Sequence, residues 1–207
     1  LYQQINMTEV AIDKLTEARE LEPNDPIIHF ALAELLYFDG QYLRATREYE
    51  VVLDTGEYEI NGINLFSRMA DCALQSGNYS DAIQLFDEIS EDEMISDDFF
   101  KKAIAYEKND LTQEAIKIMT TLLSKDPDFI QGYFYLQSLY ENEKNYPDAI
   151  ETGKEGLRLN QFYKELMVST GSLEIEHGDA NEGVELLKKA LEVDNGYHEP
   201  LLILSDL

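Results

Sequence analysis

Arg68 and Lys101 carry the most specific chemical signal in the sequence, because the two cations stand at equivalent positions of consecutive helical repeats in a strongly acidic chain. A guanidinium beside an ammonium could bind a peptide carboxylate or backbone carbonyls through charge-assisted hydrogen bonds. The alternative is pairing within the chain, because Asp71, Asp97 and Glu107 lie nearby in the sequence, and exposed pairs of this kind are common and weak. The sequence leaves both interpretations open.

No constellation of residues in the sequence indicates catalysis or metal binding. His29, His177 and His198 are far apart and lack partners at metal-ligand spacing on a shared helix face, which favours a packing role for His29. Cys72 has no His or Asn organised around it, so a half-buried structural thiol is expected rather than a nucleophile. The acidic residues of 174–179 could touch a divalent cation, but a solvated acidic loop is the simpler explanation. We predict no catalytic, cofactor or metal site, and a protein that is not an enzyme.

The charge balance excludes several classes of partner. The chain has 207 residues, with 16 Lys and Arg against 42 Asp and Glu, which gives a formal net charge of −26. Nucleic acids and anionic membrane surfaces are poor partners for such a chain, because its summed field repels them. The apolar fraction of 44% is close to that of an ordinary globular protein, so the chain can still bury a core.

The distribution of charged residues and the single cysteine bear on location. The longest uncharged run, 129–140, has twelve residues, and a helix that crosses a membrane needs roughly 20. One cysteine and no basic-then-apolar leader give no sign of export, so a cytoplasmic location is expected. The chain begins Leu1-Tyr2-Gln3 without a Met and stops at Leu207 inside an apolar run, so it is expected to be a piece of a longer protein.

A periodic pattern of small residues runs through the whole chain. Its first column has spacings of 34, 37, 33, 34 and 34 and comprises Ala11, Ala45, Ala82, Ala115, Ala149 and Gly183. A second column follows seven residues later, two turns along the same helix face, and comprises Ala18, Val52, Ile89, Leu122, Gly156 and Ala190. Larger side chains lie between the columns at Leu15, Tyr49, Phe86, Met119 and Leu187, with Gly153 as the exception. This order of small, large and small residues predicts a helix-packing stripe.

Each period also contains an earlier amphipathic segment, so the pattern predicts two helices per period. Gly40, Gly77 and Gly178 lie in the turn between the two helices, where a left-handed residue is common after a helix end. Proline and capping carboxylates at 22–26 and 125–128 end one period and begin the next. No segment shows convincing strand alternation with hairpin turns. The sequence therefore predicts an all-α protein.

The columns, the period and the prolines near the repeat ends resemble the tetratricopeptide repeat (TPR) family. The acidic character and the run Phe30-Ala31-Leu32-Ala33-Glu34-Leu35 are similar to those of TPR proteins from low-GC Gram-positive bacteria. The resemblance implies one right-handed α-α superhelical solenoid of tandem TPR helix pairs over 1–207, with twelve helices. Extra residues around 59–62 lengthen one connection. The expected complete repeats are 26–62, 63–95, 96–129, 130–163 and 164–197, between partial repeats at 1–25 and 198–207.

First helices line a concave groove in TPR proteins, so the resemblance implies a protein-interaction module. Residues one helical step from the packing pair are expected to face this groove. Those expected to bind peptide are Phe30, Glu34, Asn64, Arg68, Asp71, Phe100, Lys101, Ile104, Phe134, Tyr135 and Ser138, with Tyr37, Lys108, Val168 and Ser172 on the same face. Phe134 and Tyr135 are the expected anchors, because aromatic side chains supply much of the energy at peptide interfaces. The alternative is that such aromatic residues belong to the core.

The expected function is therefore a non-catalytic scaffold that binds a peptide or helix of a partner protein in the groove. Two alternatives stay open: a peptide-sensing receptor that controls an attached regulatory module, and an accessory repeat domain of a larger enzyme. Sequence outside this chain would separate the three. Apolar faces at both ends of a repeat array also predict self-association, because solenoids normally end in polar caps.

Overall fold

The computed structural model describes residues 2–205 and 207, and these form twelve α-helices and one two-residue β-ladder. The helices are α1 (Tyr2–Leu21), α2 (Pro26–Phe38), α3 (Tyr42–Leu53), α4 (Leu65–Gln75), α5 (Tyr79–Asp87), α6 (Ser96–Lys108), α7 (Thr112–Lys125), α8 (Ile130–Asn142), α9 (Tyr146–Leu159), α10 (Lys164–His177), α11 (Ala180–Val193) and α12 (Glu199–Ser205). The strands are β1 (Glu59–Ile60) and β2 (Ile63–Asn64). The predicted helical class and helix number are confirmed. Within the described part of the chain, no helix is long and apolar enough to cross a membrane.

The chain folds as two compact units. Unit 1 is Leu1–Asn109 and contains α1 to α6 with the ladder, and unit 2 is Asp110–Leu207 and contains α7 to α12. The boundary falls inside the predicted repeat 96–129, between its two helices. Each unit has its own buried apolar cluster. The single solenoid over 1–207 and its repeat boundaries stay predictions.

The packing stripe forms the core of unit 1. Ala45, Tyr49 and Val52 of α3 are fully buried, together with Leu32 and Leu36 of α2. Helix α3 packs against α2 and α4, and α5 packs against α4 and α6. Small residues let the helices approach, and burying each large apolar side chain contributes about 1.5–3 kcal/mol. The predicted stripe is confirmed in α3. In α1 its residues are half-buried, and Ile89 is buried but lies beyond the end of α5.

In unit 2, Gly153 departs from the stripe because two polar side chains occupy the space that a large residue fills in unit 1. Gln137 of α8 donates from Nε2 to Thr170 Oγ1 of α10 at 3.0 Å, and both side chains are fully buried. A Cβ at position 153 would lie 2.1 Å from Thr170 Oγ1 and 2.5 Å from Gln137 Nε2. The glycine of α9 therefore accommodates a polar bridge between α8 and α10.

Two of the three predicted turn glycines have the left-handed backbone. Gly40 and Gly77 both have a φ of 77°. The prediction for Gly178 is wrong, since its φ is −133°. A Cβ on Gly178 would lie 2.0 Å from Oε2 of Glu174, so the close approach of a buried carboxylate is what requires glycine there.

The lengthened connection at 59–62 contains a β-hairpin, which corrects the expectation of no strand. Strands β1 and β2 pair antiparallel, with Ile60 opposite Ile63. The loop residues Asn61 and Gly62 have φ of 54° and 77°, as a type I′ turn requires. Ile60 is buried in the core of unit 1. The Asn-Gly pair is the signal that could have indicated this hairpin, because strands of two residues are too short to show alternation.

Candidate functional site

Arg68 of α4 is held on the first-helix surface of unit 1 by a carboxylate of α2. Its Nε lies 3.0 Å from Oε1 of Glu34 and its Nη2 lies 3.3 Å from Oε2, the two-pronged geometry of a guanidinium with a carboxylate. Tyr49 donates a hydrogen bond to the same carboxylate, and the guanidinium carbon lies 4.8 Å from the ring centre of Tyr37. Burial alone would lower the pKa of Arg68, but the charge and hydrogen bonds of Glu34 outweigh it and raise that pKa. Arg68 is thus engaged within the unit.

Lys101 of α6 is held in a similar way by α4. Its Nζ lies 2.7 Å from Oδ2 of Asp71 and 2.8 Å from Oδ2 of Asp97, and Tyr37 donates its hydroxyl to Asp71. Burial would raise the pKa of Asp71, but hydrogen bonds from Lys101 and Tyr37 outweigh it and lower that pKa. Burial would likewise lower the pKa of Lys101, and its bonds to the two aspartates raise it instead. Asp71 depends on this cation, because an unpaired buried charge is costly.

These contacts bear directly on the two interpretations of Arg68 and Lys101. Both cations pair within the chain, so neither is available to the carboxylate of a ligand without breaking a pair. Lys101 uses Asp71 and Asp97, whereas Arg68 uses Glu34, which is not among the partners expected from the sequence. The missed signal is the period itself, since Glu34 and Arg68 are 34 residues apart. Residues one period apart lie on neighbouring first helices.

Two other residues expected in the groove have structural roles in unit 1. Phe30 is 6% exposed and packs in the core, so its expected place in the groove is wrong; its side of α2 faces the buried apolar cluster. Asn64 caps the start of α4, where its Oδ1 accepts a hydrogen bond of 2.9 Å from the backbone N–H of Phe66. Phe100 and Ile104 are half-buried on α6.

Unit 2 presents an open groove formed by α8, α10 and the start of α12, which we call the unit 2 groove. Its volume is about 360 Å³. It is lined by Phe134, Val168, Leu173 and Tyr197, by Ser169 and Ser172, and by Glu141, Glu165, Glu176 and Glu199. Phe134 is 36% exposed, and its ring centre lies 5.9 Å from that of Tyr163. Three residues expected on this face, Phe134, Val168 and Ser172, therefore lie in a single groove.

The rim of the unit 2 groove is acidic. Four carboxylates line it, and the described lining residues include no Lys or Arg. Lys164, at the start of α10, is not a lining residue: its Nζ pairs with Oδ2 of Asp194 at 2.5 Å and lies 4.9 Å from the ring centre of Tyr197, which does line the groove. Burial and a hydrogen bond to Glu199 raise the pKa of Tyr197 to about 12, so its hydroxyl stays protonated. A ligand entering the groove therefore meets an apolar floor and a negative rim.

Tyr135 and Ser138 are not among the residues that line this groove, so the joint anchor role of Phe134 and Tyr135 stays a prediction. Tyr135 and Ser138 are half-buried on α8, and Ser138 Oγ donates to the carbonyl oxygen of Tyr135 at 2.7 Å. Successive helical residues point about 100° apart, because a turn takes 3.6 residues. Because Phe134 points into the groove, the side chain of Tyr135 points to a different side of α8.

The acidic turn at 174–179 differs from the solvated loop expected from the sequence. Glu174 is 2% exposed; it pairs with Lys154 and accepts a hydrogen bond of 2.6 Å from the backbone N–H of Asp179. His177 stacks on Tyr146 with 3.5 Å between ring centres. Among the residues that the structure describes, no group of three or more His, Cys, Asp or Glu side chains could hold a metal ion.

His29 and Cys72 have structural surroundings. His29 Nδ1 lies 2.6 Å from Oε2 of Glu48, and its Nε2 lies 3.0 Å from the carbonyl oxygen of Pro23, which confirms its packing role. Cys72 is buried in the core of unit 1. Burial raises the pKa of its thiol to about 11, which disfavours the thiolate that a nucleophile requires.

Two segments of the chain match known repeat families. Residues 3–57 match a family described as YpiA-like, tetratricopeptide repeats, and residues 99–128 match the tetratricopeptide repeat. The TPR repeat-containing protein YpiA of Bacillus subtilis (strain 168), a low-GC Gram-positive bacterium, is 32% identical over 201 residues, which are 97% of this chain and 47% of YpiA. In these segments, and over most of its length in the comparison with YpiA, the chain is similar to tetratricopeptide repeat proteins. The chain spans about half the length of the curated relative that it matches.

Solved structures share the fold of this chain. YrrB, described as a TPR protein with an unusual peptide-binding site, has a TM-score of 0.70 at 16% identity and covers 92% of this chain and 97% of its own. A structure of MamA has a TM-score of 0.71 at 19% identity, with 82% of this chain and 92% of MamA covered. PilF of Pseudomonas aeruginosa has a TM-score of 0.68 at 16% identity, with 100% of this chain and 93% of PilF covered. At these identities the likeness shows the fold, an all-α TPR solenoid.

Proposed function

We propose that this chain is a non-catalytic interaction scaffold, and that its unit 2 groove binds a segment of a partner protein with basic residues beside an apolar anchor. TPR proteins generally mediate protein–protein interaction. The observation that carries the proposal is the combination, in one groove, of the exposed ring of Phe134 with four carboxylates and no cation among the described lining residues. YrrB, a structural neighbour, is itself described as having a peptide-binding site.

The charges favour a basic ligand over an acidic one. Arg68 and Lys101, the cations that could hold a ligand carboxylate, are already paired with Glu34 and Asp71. In the unit 2 groove the carboxylates have the sign that attracts Lys or Arg side chains. Charged rims act mainly on the rate of association, whereas a buried aromatic anchor acts on dissociation. The groove therefore supplies both parts of a recognition surface.

A synthetic peptide array tests this proposal. Short peptides with a central Phe or Leu, flanked by Lys, Glu or Ser, are screened against the intact chain, and the affinity of each binder is measured by fluorescence polarisation. Lys-flanked peptides should bind best, and their affinity should fall as salt rises, because screening weakens exposed charges. Phe134→Ala should weaken them by about 1–3 kcal/mol.

Phe162 provides the matched control, because it is an exposed phenylalanine of the same unit and does not line the unit 2 groove. Phe162→Ala should leave the affinity unchanged. A preference for Glu-flanked peptides, or equal losses in the two phenylalanine variants, would contradict the proposal.

The cytoplasmic location and self-association through the ends stay predictions. Val10 and Leu21 of α1 and Leu202 of α12 are exposed apolar side chains, which supports the second of these. Sequence flanking this chain would still separate the scaffold from a peptide-sensing receptor and from an accessory domain of an enzyme.

A further inference from the structure

The second helices of unit 1 enclose a trench on a different surface from the ion pairs described above. Helices α3 and α5 both pack on α4, and the space between them, here called the α3/α5 trench, has a volume of about 490 Å³. Phe66, Met69 and Cys72 of α4 line it, with Leu43 of α3, which is 65% exposed. An exposed leucine that continues into Met and Phe side chains forms an apolar surface with adaptable side chains.

The rim of the α3/α5 trench is acidic and unpaired. Glu50 of α3, Asp81 of α5 and Glu88 just after α5 line it, and all three are exposed. Within the described part of the chain, none of the three forms an ion pair, and no Lys or Arg lines the trench. In this respect they differ from Glu34 and Asp71 of the same unit, which both have cations. The trench therefore complements a ligand with positive charges around an apolar centre.

The walls of the trench determine the form of that ligand. Helices α3 and α5 use their backbone N–H and C=O groups within themselves, so they offer no free strand edge for an extended segment to pair with. A helical ligand brings its own backbone hydrogen bonds and needs only side-chain contacts. Helix α5 has nine residues, roughly 13 Å of length, which matches two to three turns of a bound helix.

We propose that the α3/α5 trench is a second docking surface, and that its occupant is a cationic amphipathic helix of a partner protein. The apolar face of that helix covers Leu43 and the α4 side chains, and its Lys or Arg residues face Glu50, Asp81 and Glu88. This proposal is independent of the unit 2 groove, which is formed by first helices and is lined by other residues.

A designed helix probes the trench in the intact chain. The probe is a fluorescein-labelled peptide of Lys, Leu and Ala, with Leu at positions i, i+3, i+4 and i+7, and its partner is a scrambled peptide of the same composition. The ordered probe should bind at least about tenfold more tightly, because only it gathers the leucines on one face. The variant Glu50→Gln/Asp81→Asn/Glu88→Gln should weaken binding of the ordered probe by about tenfold or more, because it removes three exposed charge pairs that each contribute modestly.

A second charge variant removes the effect of net charge. Asp13, Glu20 and Glu57 are exposed carboxylates of unit 1 outside the trench. The variant Asp13→Asn/Glu20→Gln/Glu57→Gln loses the same charge and should change probe affinity by less than about threefold. If both charge variants lost the same affinity for the probe, binding would depend only on the total charge of the chain, which would overturn the proposal.

Two further variants locate the probe. Ala73 lines the trench, and Ala73→Leu should fill part of it and weaken the probe, whereas Phe134→Ala in the unit 2 groove should not. Circular dichroism of each variant shows whether its helices are retained. The variant that neutralises Glu50, Asp81 and Glu88 tests the trench without altering the core, because all three side chains are exposed. Loss of binding with Phe134→Ala and retention with both trench variants would place the probe in the unit 2 groove and overturn the inference.

Discussion

The first-helix surfaces of the two units are built on the same repeat and have opposite properties. In unit 1, Glu34 with Arg68 and Asp71 with Lys101 connect consecutive first helices. In unit 2, Phe134 stays exposed above a groove whose carboxylates face no cation among the described lining residues. Opposite charges about one period apart connect neighbouring helices in unit 1, whereas the carboxylates of the unit 2 groove have no Lys or Arg beside them among its described lining residues. A few positions beside the packing stripe therefore decide whether a repeat surface is closed or open.

The packing stripe itself also differs between the units, and this difference predicts the largest effect. Tyr49 is fully buried in unit 1 and its hydroxyl bonds to Glu34, so Tyr49→Ala should lower the free energy of unfolding by about 3–5 kcal/mol. At the equivalent position of unit 2, adding a methyl group should be harmful, because it meets the buried Thr170. Gly153→Ala should cost about 1–3 kcal/mol. Urea unfolding followed by circular dichroism measures both.

Tyr58 is a suitable control for the tyrosine variant, because it is more than half exposed in the same unit. Tyr58→Ala should stay within about 0.5 kcal/mol of the wild type. If Tyr49→Ala and Tyr58→Ala cost the same, the stripe does not form the core in the way described.

A smaller effect separates the braced surface of unit 1 from the surface of unit 2. Lys101→Ala should lower the free energy of unfolding by about 1–3 kcal/mol, because it leaves the buried carboxylate of Asp71 without its cation. Lys164→Ala breaks the pair with Asp194, where both side chains are substantially exposed. Its effect should be clearly smaller in the same urea measurement.

The double variant Lys101→Ala/Asp71→Asn sharpens this comparison. Removing the charge of Asp71 together with its cation should recover part of the lost stability, since the cost of the single variant comes mainly from the unpaired carboxylate. Strictly additive losses would show that the two residues do not act as a pair.

The smallest predicted effect is a change in how the free energy of unfolding depends on acidic pH. The pKa values of two carboxylates of unit 1 shift in opposite directions on folding. Pairing lowers the pKa of Asp71 in the fold, so its stabilisation is complete above the usual value of 3.8 and is lost as the pH falls through the lower folded value. Burial raises the pKa of Asp98 against hydrogen bonds from Ser67 and the Ile95 backbone, so protonating Asp98 favours the fold. Asp71→Asn should flatten the acid loss of stability, and Asp98→Asn should steepen it.

Urea midpoints measured from neutral to acidic pH test these slopes. Curves for the two variants that run parallel to that of the wild type would contradict the assignment, because neither carboxylate would then bind protons differently in the folded and unfolded states.

The helices and the core stripe could be read from the sequence because helix geometry places residues seven apart on one face. That signal depends only on residue type and spacing, and it correctly identifies the buried Ala45, Tyr49 and Val52. The Asn61-Gly62 hairpin could not be recognised by alternation, because each strand has two residues. The spacing pattern could not predict why position 178 is glycine either, because the reason depends on where the side chain of Glu174 lies.

The candidate sites were only partly predictable, because the direction of a side chain depends on how each helix rotates against its neighbours. Phe134 lines the unit 2 groove, whereas Phe30 is buried in the core and Tyr135 is not among the residues that line that groove. A shift of one residue turns a side chain by about 100°. The α3/α5 trench gave no signal in the sequence, because its acidic rim is spread over two helices and the turn that follows.

The polar bridge over Gly153 restricts how this repeat array can be recombined. Gln137, Gly153 and Thr170 come from three successive helices, and the hydrogen bond between Gln137 and Thr170 occupies the space that Gly153 leaves open. Gly153 of α9 holds the position that Tyr49 holds in α3. If a deletion or duplication replaced α9 by a helix with tyrosine at that position, the tyrosine ring would clash with Gln137 and Thr170. It would also separate two buried polar groups, which costs about 1–3 kcal/mol for each unsatisfied group. Repeats can therefore be exchanged or copied here only as a block that keeps α8, α9 and α10 together.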